Sequence, residues 1–255
     1  MTTLETNGFR LLPQRLSPDA QAALVGEVLA RTEASPPYRP VTPGGKPMSV
    51  AMTNFGPLGW FTDQAGYRYQ ARHPGTGEAW PDIPQALLDL WTELADGNVP
   101  PDACLVNHYG PEARMSLHQD RDEQDLSFPV LSVSLGDTAI FRIGGTRRAN
   151  PTRSIRLASG DICLLAGASR LAFHGVDRIL PGSSRLIPGG GRGESQPPPH
   201  PPAVIPHGAA KRRKCGTHTR GVCRMARCLW VPDSRCAASG MTGVGDPRQT
   251  QRSRL

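Results

Sequence analysis

The 255-residue sequence has no apolar run as long as the ~18 residues that a transmembrane helix needs, so no membrane span is predicted. Its N-terminus, MTTLETNGFRLLPQRL, lacks the basic and then apolar pattern of a secretory signal peptide. These absences predict a cytoplasmic protein that makes no contact with a membrane. The length suits one large domain or two small ones.

The cysteines follow neither a disulfide framework nor a common zinc motif. Cys104 and Cys163 lie in apolar, strand-like runs and are predicted to be buried free thiols. Four more lie in the last quarter of the chain: Cys215, Cys223, Cys228 and Cys236. Their spacing makes zinc binding by these four a minor alternative.

The basic excess is confined to the end of the chain. From residue 190 onward there are 12 basic and 3 acidic residues, against 17 and 19 before that point. The net charge of +7 therefore does not predict nucleic-acid binding by the folded part. Residues 1–190 are predicted to form one globular domain. Residues 191–255, rich in Pro, Gly and Arg without periodicity, are predicted to be a disordered tail.

The secondary-structure pattern changes near residue 100. Before it, Ser17 caps a predicted helix, and a second helix is predicted from Asp82 to Gly97. After it come six short apolar runs: ACLVNHY, PVLSVSL, TAIFRIG, RSIRLAS, DICLLAG and RLAFHGV. Strands at this spacing favour a sandwich or barrel. The predicted fold class is therefore α+β and mostly β, an antiparallel sheet flanked by N-terminal helices.

The stretch SLHQDRDEQDLS contains a candidate metal site. Residues two apart on a strand point to the same face, so His118 and Asp120 can direct a nitrogen and an oxygen at one point. His174 offers a third ligand, and two imidazoles with one carboxylate form the facial triad of non-haem Fe(II) oxygenases. The alternative is a surface His–Asp pair with an unrelated core histidine. Asn107 and Tyr109 share a strand face, which favours a pocket for a polar ligand over an edge strand facing water.

Five blocks of the sequence resemble, in order and spacing, those of the AlkB family. They are VTPGGKPMSVAMTNFGPLGW, GYRY, PDACLVNHYGPEARMSLHQDRDE, VSVSLG and SRLAFHG. The family consists of Fe(II)- and 2-oxoglutarate-dependent dioxygenases that repair alkylated nucleic acid. The resemblance is to its bacterial members above all, and it extends from about Pro40 to about Val176.

The resemblance implies a double-stranded β-helix, or jelly roll. It implies that His118, Asp120 and His174 are the catalytic iron ligands, and that Asn107 and Tyr109 contact 2-oxoglutarate. Four further residues are implied to bind substrate: Trp60, Tyr67, Asp122 and Arg148. Trp60 would stack on a flipped base and Tyr67 would contact the backbone, Asp122 would lie near the methylated base, and Arg148 would lie at the pocket or nucleic-acid surface.

The implied reaction is oxidative demethylation of 1-methyladenine and 3-methylcytosine. The substrate would be single- or double-stranded DNA, with RNA as an alternative. Fe(II), 2-oxoglutarate and O2 would be required, with ascorbate as reductant in vitro, and the products would be formaldehyde, succinate and CO2. The protein is expected to act as a monomer.

The sequence departs from the family where the last core strand is expected. The family pattern R-x-N-x-T-x-R supplies arginines that pair with 2-oxoglutarate, and such pairing is strong and geometrically specific. Here the chain reads SSRLIPGGGRGESQPPPHPP, and prolines cannot donate to a sheet ladder. The last core strand is therefore predicted to be missing, with Arg192, or alternatively Arg185, as the remaining candidate contact to 2-oxoglutarate. We hypothesise a reading-frame change near residue 192, which the nucleotide sequence would test.

Two other functions stay open on the sequence. One is a catalytically inactive scaffold of AlkB type that binds metal or nucleic acid, because the arginine strand is lost. The other is a metal-binding jelly roll of the cupin kind, which the block around Trp60 disfavours. Binding of 2-oxoglutarate would discriminate the active enzyme from the inactive scaffold.

Overall fold

A computed structural model describes residues 3–95, 99–187 and 225–231. Its helices are α1 (Pro18–Ala34) and α2 (Gln85–Leu94), with a short 3-10 turn at Gly167–Ser169. Helix α1 begins as predicted, because the Ser17 hydroxyl accepts a hydrogen bond from the Ala20 backbone N–H. Helix α2 begins later than predicted because Pro84 takes its N-cap position and keeps the preceding residue out of a helical conformation. The predicted end at Gly97 lies outside the described residues.

The described residues contain 13 strands. In chain order they are β1 (Leu4–Thr6), β2 (Phe9–Leu12), β3 (Ala51–Phe55), β4 (Gly59–Asp63), β5 (Gly66–Gln70), β6 (Ala103–His108), β7 (Met115–His118), β8 (Val130–Gly136), β9 (Thr138–Ile143), β10 (Arg153–Leu157), β11 (Ile162–Leu165), β12 (His174–Leu180) and β13 (Met225–Val231). The larger sheet has the order β1-β2-β11-β8-β13-β6-β3 and the smaller one β10-β9-β12-β7. Strands β4 and β5 form a separate hairpin.

The apolar core has two parts, one on each face of the larger sheet. The first fills the space between the two sheets, where Leu105 and Phe9 meet Phe141 of the smaller sheet. The second lies under the helices, where Leu24 and Trp91 pack in the cluster that also contains Val106. Alternation along β6 sends successive side chains to the two cores. Two facing sheets with helices over one of them confirm the predicted jelly roll.

Cys104 and Cys163 are buried free thiols, as predicted. Burial, together with the neighbouring Asp161 carboxylate, raises the pKa of the Cys163 thiol. Among the described residues, neither helix has both the length and the apolar character that crossing a bilayer requires.

Strand β13 differs from the expectation of a missing last strand and, for residues 225–231 alone, from that of a disordered tail. Residues 225–231 belong to the predicted disordered tail, yet they form a strand between β6 and β8. The strand position expected to be missing is therefore filled. β13 pairs in parallel with both neighbours, although a jelly roll is an antiparallel architecture, and its sequence MARCLWV lacks the two-arginine pattern. The predicted domain boundary at residue 190 lies outside the described residues.

Candidate metal centre and lid

Two neighbouring strands bring the predicted metal ligands together. β7 and β12 pair so that His118 lies opposite His174, with 4.5 Å between the ring centroids. Gly175 permits this close pairing, because a Cβ at that position would lie only 2.4 Å from the Met115 carbonyl oxygen. Asp120 lies beyond the end of β7, so its carboxylate comes from the following loop and not from the strand face that the sequence predicted.

The carboxylate of Asp120 lies between the two imidazoles. Its Oδ1 is 3.4 Å from His118 Nε2, and its Oδ2 is 3.3 Å from His174 Nε2. One ligand atom from each of the three side chains falls within 4.8 Å of the others. Two nitrogens and one oxygen in this arrangement suit Fe(II) and leave positions open for other ligands. The residues present therefore fit the implied metal.

Backbone carbonyls fix the orientation of both imidazoles. His118 Nδ1 lies 2.9 Å from the Ser116 carbonyl oxygen, and His174 Nδ1 lies 3.0 Å from that of Ala172. A carbonyl can only accept, so each Nδ1 carries a hydrogen, and Nε2 is the atom of each ring that is placed to bind a metal. Support of this kind is the usual companion of metal-binding histidines.

Arg170 braces the loop that carries Asp120. It is buried, and its guanidinium donates to the Asp120 carbonyl at 2.6 Å and to the Phe128 carbonyl at 2.7 Å. It also forms an ion pair with the buried Glu123 carboxylate at 3.2 Å. Because Arg170 precedes His174 by four residues, this one side chain ties together the segments that supply Asp120 and His174.

Gln119 adds a second tie between the same segments. Its Nε2 donates to the Leu171 carbonyl at 2.6 Å and to the Thr146 carbonyl at 3.2 Å. Gln119 stands between the predicted ligands His118 and Asp120, so these hydrogen bonds hold the segment that carries both of them. Neither Gln119 nor Arg170 was predicted from the sequence, although both lie within the blocks HQD and SRLAFHG.

A narrow cavity of about 40 Å³ leads from the histidines into the space between the sheets. Asn107 and Tyr109, the two residues that the resemblance assigns to 2-oxoglutarate, both line it. Asn107 Oδ1 is buried and has no hydrogen-bond partner among the described residues, so this amide is available to a polar ligand. Within the described part of the chain no Lys or Arg lines the cavity. Of the two candidate contacts, Arg185 is exposed and does not line the cavity, and Arg192 lies outside the described residues.

The hairpin β4–β5, here called the lid, is joined to the loop that carries Asp120. Trp60 is buried, and its indole N–H donates to Asp122 Oδ2 at 3.1 Å. The Asn54 side chain both accepts from the Trp60 backbone N–H and donates to its carbonyl, which fixes the start of the hairpin. Tyr67 stacks on Trp60 with ring centroids 5.7 Å apart and is itself 54% exposed.

The predicted substrate residues therefore surround the metal loop. Asp122 follows the predicted ligand Asp120 by two residues, Trp60 reaches Asp122 from the lid, and Tyr67 stacks on Trp60. Arg148 approaches from the loop after β9, where its Nη1 donates to the Leu117 carbonyl at 2.9 Å and its guanidinium lies 5.7 Å from the Phe173 ring centre.

Comparisons with known proteins agree with this geometry. The sequence model described as the 2OG-Fe(II) oxygenase superfamily matches residues 8–199. The alpha-ketoglutarate-dependent dioxygenase AlkB homolog of Caulobacter vibrioides (strain NA1000 / CB15N) is 65% identical over 185 residues, which are 72% of this chain and 84% of that protein. The alpha-ketoglutarate-dependent dioxygenase AlkB of Escherichia coli (strain K12) is 43% identical over 173 residues, 66% of this chain and 80% of that protein. The solved structure of OsALKBH1 superposes with a TM-score of 0.63 at 29% identity, covering 72% of this chain and 90% of that one.

Proposed function

The chain belongs to the AlkB family within the 2OG-Fe(II) oxygenase superfamily, and we propose that it demethylates N-alkylated bases in DNA. It is an Fe(II)- and 2-oxoglutarate-dependent dioxygenase of the class that repairs alkylation. The observation that carries the proposal is the His118–Asp120–His174 cluster, in which Asp120 and His174 are buried and His118 is half-buried, with a tryptophan lid joined to the same loop.

His118, Asp120 and His174 are the proposed Fe(II) ligands. Bound Fe(II), with O2, supplies the coupled oxidation of 2-oxoglutarate to succinate and CO2 and of the N-methyl group to a form that leaves as formaldehyde. The protein's own contribution is orientation: the fixed imidazoles, together with Arg170 behind Asp120, hold the three ligand atoms in place before the metal binds.

Asn107 and Tyr109 are the proposed contacts to 2-oxoglutarate. The amide N–H groups and the phenol can donate hydrogen bonds to a carboxylate, and the uncommitted oxygen of Asn107 marks a polar position that the fold itself does not use. Arg192, in the segment after the described domain, is the proposed partner of the other carboxylate. Residues 1–190 are the proposed catalytic domain and 191–255 the tail.

Trp60, Tyr67, Asp122 and Arg148 are the proposed substrate residues. A methylated base must leave the helical stack to reach the metal, and an aromatic face compensates part of the lost stacking. Because Trp60 holds one oxygen of Asp122, the other oxygen and the negative charge are directed to the base. A carboxylate in this place favours cationic lesions, which 1-methyladenine and 3-methylcytosine are. We further propose that the enzyme acts as a monomer in the cytoplasm.

Formaldehyde release tests the proposal. Purified full-length protein with Fe(II), ascorbate and 2-oxoglutarate is expected to release formaldehyde from an oligonucleotide that contains 1-methyladenine. His118→Ala is expected to abolish the release. A folded, iron-loaded chain that releases none would refute the proposed activity and would favour an inactive scaffold. The relatives reported above are dioxygenases by name, so none of them favours that alternative.

A further inference from the structure

The outer face of the smaller sheet carries three arginines, here called the arginine track: Arg142, Arg156 and Arg178. Arg156 of β10 and Arg178 of β12 both pair with Ile140 of β9, one from each side. Arg142 follows Ile140 by two residues on β9 and therefore points to the same face. Three adjacent strands thus place three guanidinium groups on one surface.

This surface faces solvent and not the core. The residues that alternate with Ile140 and Arg142 on β9, namely Ala139, Phe141 and Ile143, belong to the core between the sheets. The opposite face of the strand is therefore the outer one. Arg156 and Arg178 are exposed, and Arg142 is half-buried.

The charges of the arginine track are not neutralised by the rest of the described structure. Within the described ranges none of the three forms an ion pair, whereas Arg15, Arg31 and Arg68 each pair with a carboxylate. Arg142 donates to the neutral Thr152 hydroxyl at 2.7 Å, which orients the guanidinium without cancelling its charge.

One acidic residue lies near the arginine track. Asp177 is exposed in the β12 irregularity that immediately precedes Arg178, and it forms no ion pair with a described residue. Three uncompensated positive charges and one nearby negative charge leave this face with a net positive potential.

The arginine track begins at the metal end of the sheet. Arg142 pairs with Gly175, the residue after the proposed ligand His174. Arg148, a proposed substrate residue, lies on the loop that follows the same strand. Along a strand the rows of the track are about 7 Å apart, and β10 and β12 are separated by about 10 Å. A continuous basic path therefore runs from the metal end along the outer face of the sheet.

We propose that the arginine track binds the phosphodiester backbone of the DNA substrate beside the flipped nucleotide. This inference rests on the proposed function. Arginines that reach phosphates but no base edges supply affinity that does not depend on sequence, and this affinity falls as salt rises. The track anchors the strand while the lid and Asp122 select the damaged base.

The test compares a short and a long substrate. The variant Arg142→Gln/Arg156→Gln/Arg178→Gln is assayed with a 1-methyladenine trinucleotide and with a single-stranded 20-mer that contains the same lesion. The expected kcat/KM for the trinucleotide is that of the wild type. The expected KM for the 20-mer rises about tenfold or more, and the slope of log affinity against log salt becomes shallower by about 2, because three phosphate contacts are lost.

Two control variants are compared with the wild type and the track variant. All four proteins keep the basic tail, so any contribution of the tail to DNA binding is the same in each. Arg10→Gln/Arg15→Gln/Arg31→Gln removes the same charge from outside the smaller sheet and is expected to leave the KM for the 20-mer within about twofold. Asp177→Asn is expected to act in the opposite direction and lower that KM, because it removes the negative charge beside Arg178.

A direct binding measurement separates failure of this inference from failure of the proposed function. Fluorescence anisotropy with a labelled, unmodified 20-mer needs no turnover. If neither the wild type nor any variant releases formaldehyde, but the track variant binds the 20-mer more weakly than the wild type does, the proposed reaction is refuted. The DNA-binding role of the arginine track is then still supported. Equal affinity and equal salt dependence of the track variant and the wild type would overturn the inference.

Discussion

The two ends of the cavity between the sheets are supported very differently. At the metal end, both imidazoles donate to backbone carbonyls, and the loop of Asp120 is held by Arg170. At the other end, where 2-oxoglutarate is proposed to bind and which is called the cosubstrate end, Asn107 contributes a buried oxygen without a hydrogen-bond partner among the described residues. No Lys or Arg from the described ranges lines the wall there.

The difference follows from which parts of the chain build each end. The metal end depends on β7, β12 and the loops next to them, and all of these come from the part that resembles the family. The cosubstrate end lies against β6 and β8, whose shared neighbour is β13 from the tail. The chain therefore keeps the metal end complete even though the strand that closes the other end has a different sequence and direction.

The largest expected effect comes from removing the charged ligand. Asp120→Asn is expected to reduce formaldehyde release by about a thousandfold or more, because a neutral amide replaces the carboxylate that faces both imidazoles. Titration with Co(II) as a spectroscopic probe should show a matching loss of affinity. Asp89→Asn, on the exposed side of α2, is the control and should retain full activity. Retention of a tenth of the activity by Asp120→Asn would contradict the assignment.

The Arg170 brace is the next test of the metal end. Arg170→Met is expected to lower the free energy of unfolding by about 3–5 kcal/mol, because it leaves the buried Glu123 carboxylate without its partner. Metal affinity should fall by about 10- to 100-fold, since the Asp120 carbonyl also loses its donor. Chemical denaturation and Co(II) titration measure the two effects.

A double variant separates stability from positioning. Arg170→Met/Glu123→Met removes both buried charges and is expected to recover most of the lost stability. It should not recover metal affinity, and a full recovery would mean that Arg170 has only a structural role. Arg15→Met breaks an exposed ion pair and should cost less than about 1 kcal/mol.

The burial of His108 on β6 predicts how the free energy of unfolding depends on pH. Burial, with a smaller contribution from Arg39, lowers the pKa of His108 from 6.5 to about 4. The unfolded chain then binds the proton more readily than the folded one. Neutral His108 therefore favours folding above pH 6.5, and this contribution of up to about 3 kcal/mol is lost as the pH falls towards 4.

Unfolding measurements across that range check the prediction. The free energy of unfolding of the wild type is expected to fall more steeply between pH 6.5 and 4 than that of His108→Gln, which cannot take up the proton. Parallel pH profiles for the two proteins would show that this histidine does not couple folding to pH.

The smallest expected effect concerns the cosubstrate end. Asn107→Ala is expected to weaken 2-oxoglutarate binding by about tenfold, the loss of one hydrogen bond to a charged group. Anaerobic titration of the Fe(II)-loaded protein measures it. Affinity for Co(II) alone should not change, because Asn107 lies outside the three ligands. An unaltered 2-oxoglutarate affinity would place the cosubstrate elsewhere.

The proposed metal ligands were accessible to sequence reasoning because two imidazoles and one carboxylate are the donor set of a facial triad. Their spacing alone left a surface His–Asp pair open, and the resemblance to the family favoured the triad. The helix cap at Ser17 could be predicted because it depends only on residues within one turn of the helix. The backbone position of Asp120 was harder to predict. The sequence placed it on the same strand as His118, but β7 ends at His118 and Asp120 lies in the following loop.

Arg170 and β13 were out of reach for a different reason. Nothing local distinguishes a buried arginine from an exposed one, since its burial depends on carbonyls and a carboxylate far away in the chain. The segment MARCLWV is short and lies in a basic, aperiodic tail, and its strand conformation depends on two neighbours supplied by the domain. Both features exist only through tertiary contacts.

The insertion of β13 also has a consequence for folding kinetics. Its backbone pairs Cys228 with Val106 and with Val133, contacts between distant parts of the chain that raise the contact order. Until this segment docks, β6 and β8 present two open strand edges that face each other across a gap. Closing them is expected to be a late and slow step, during which the nascent domain is exposed to edge-to-edge association.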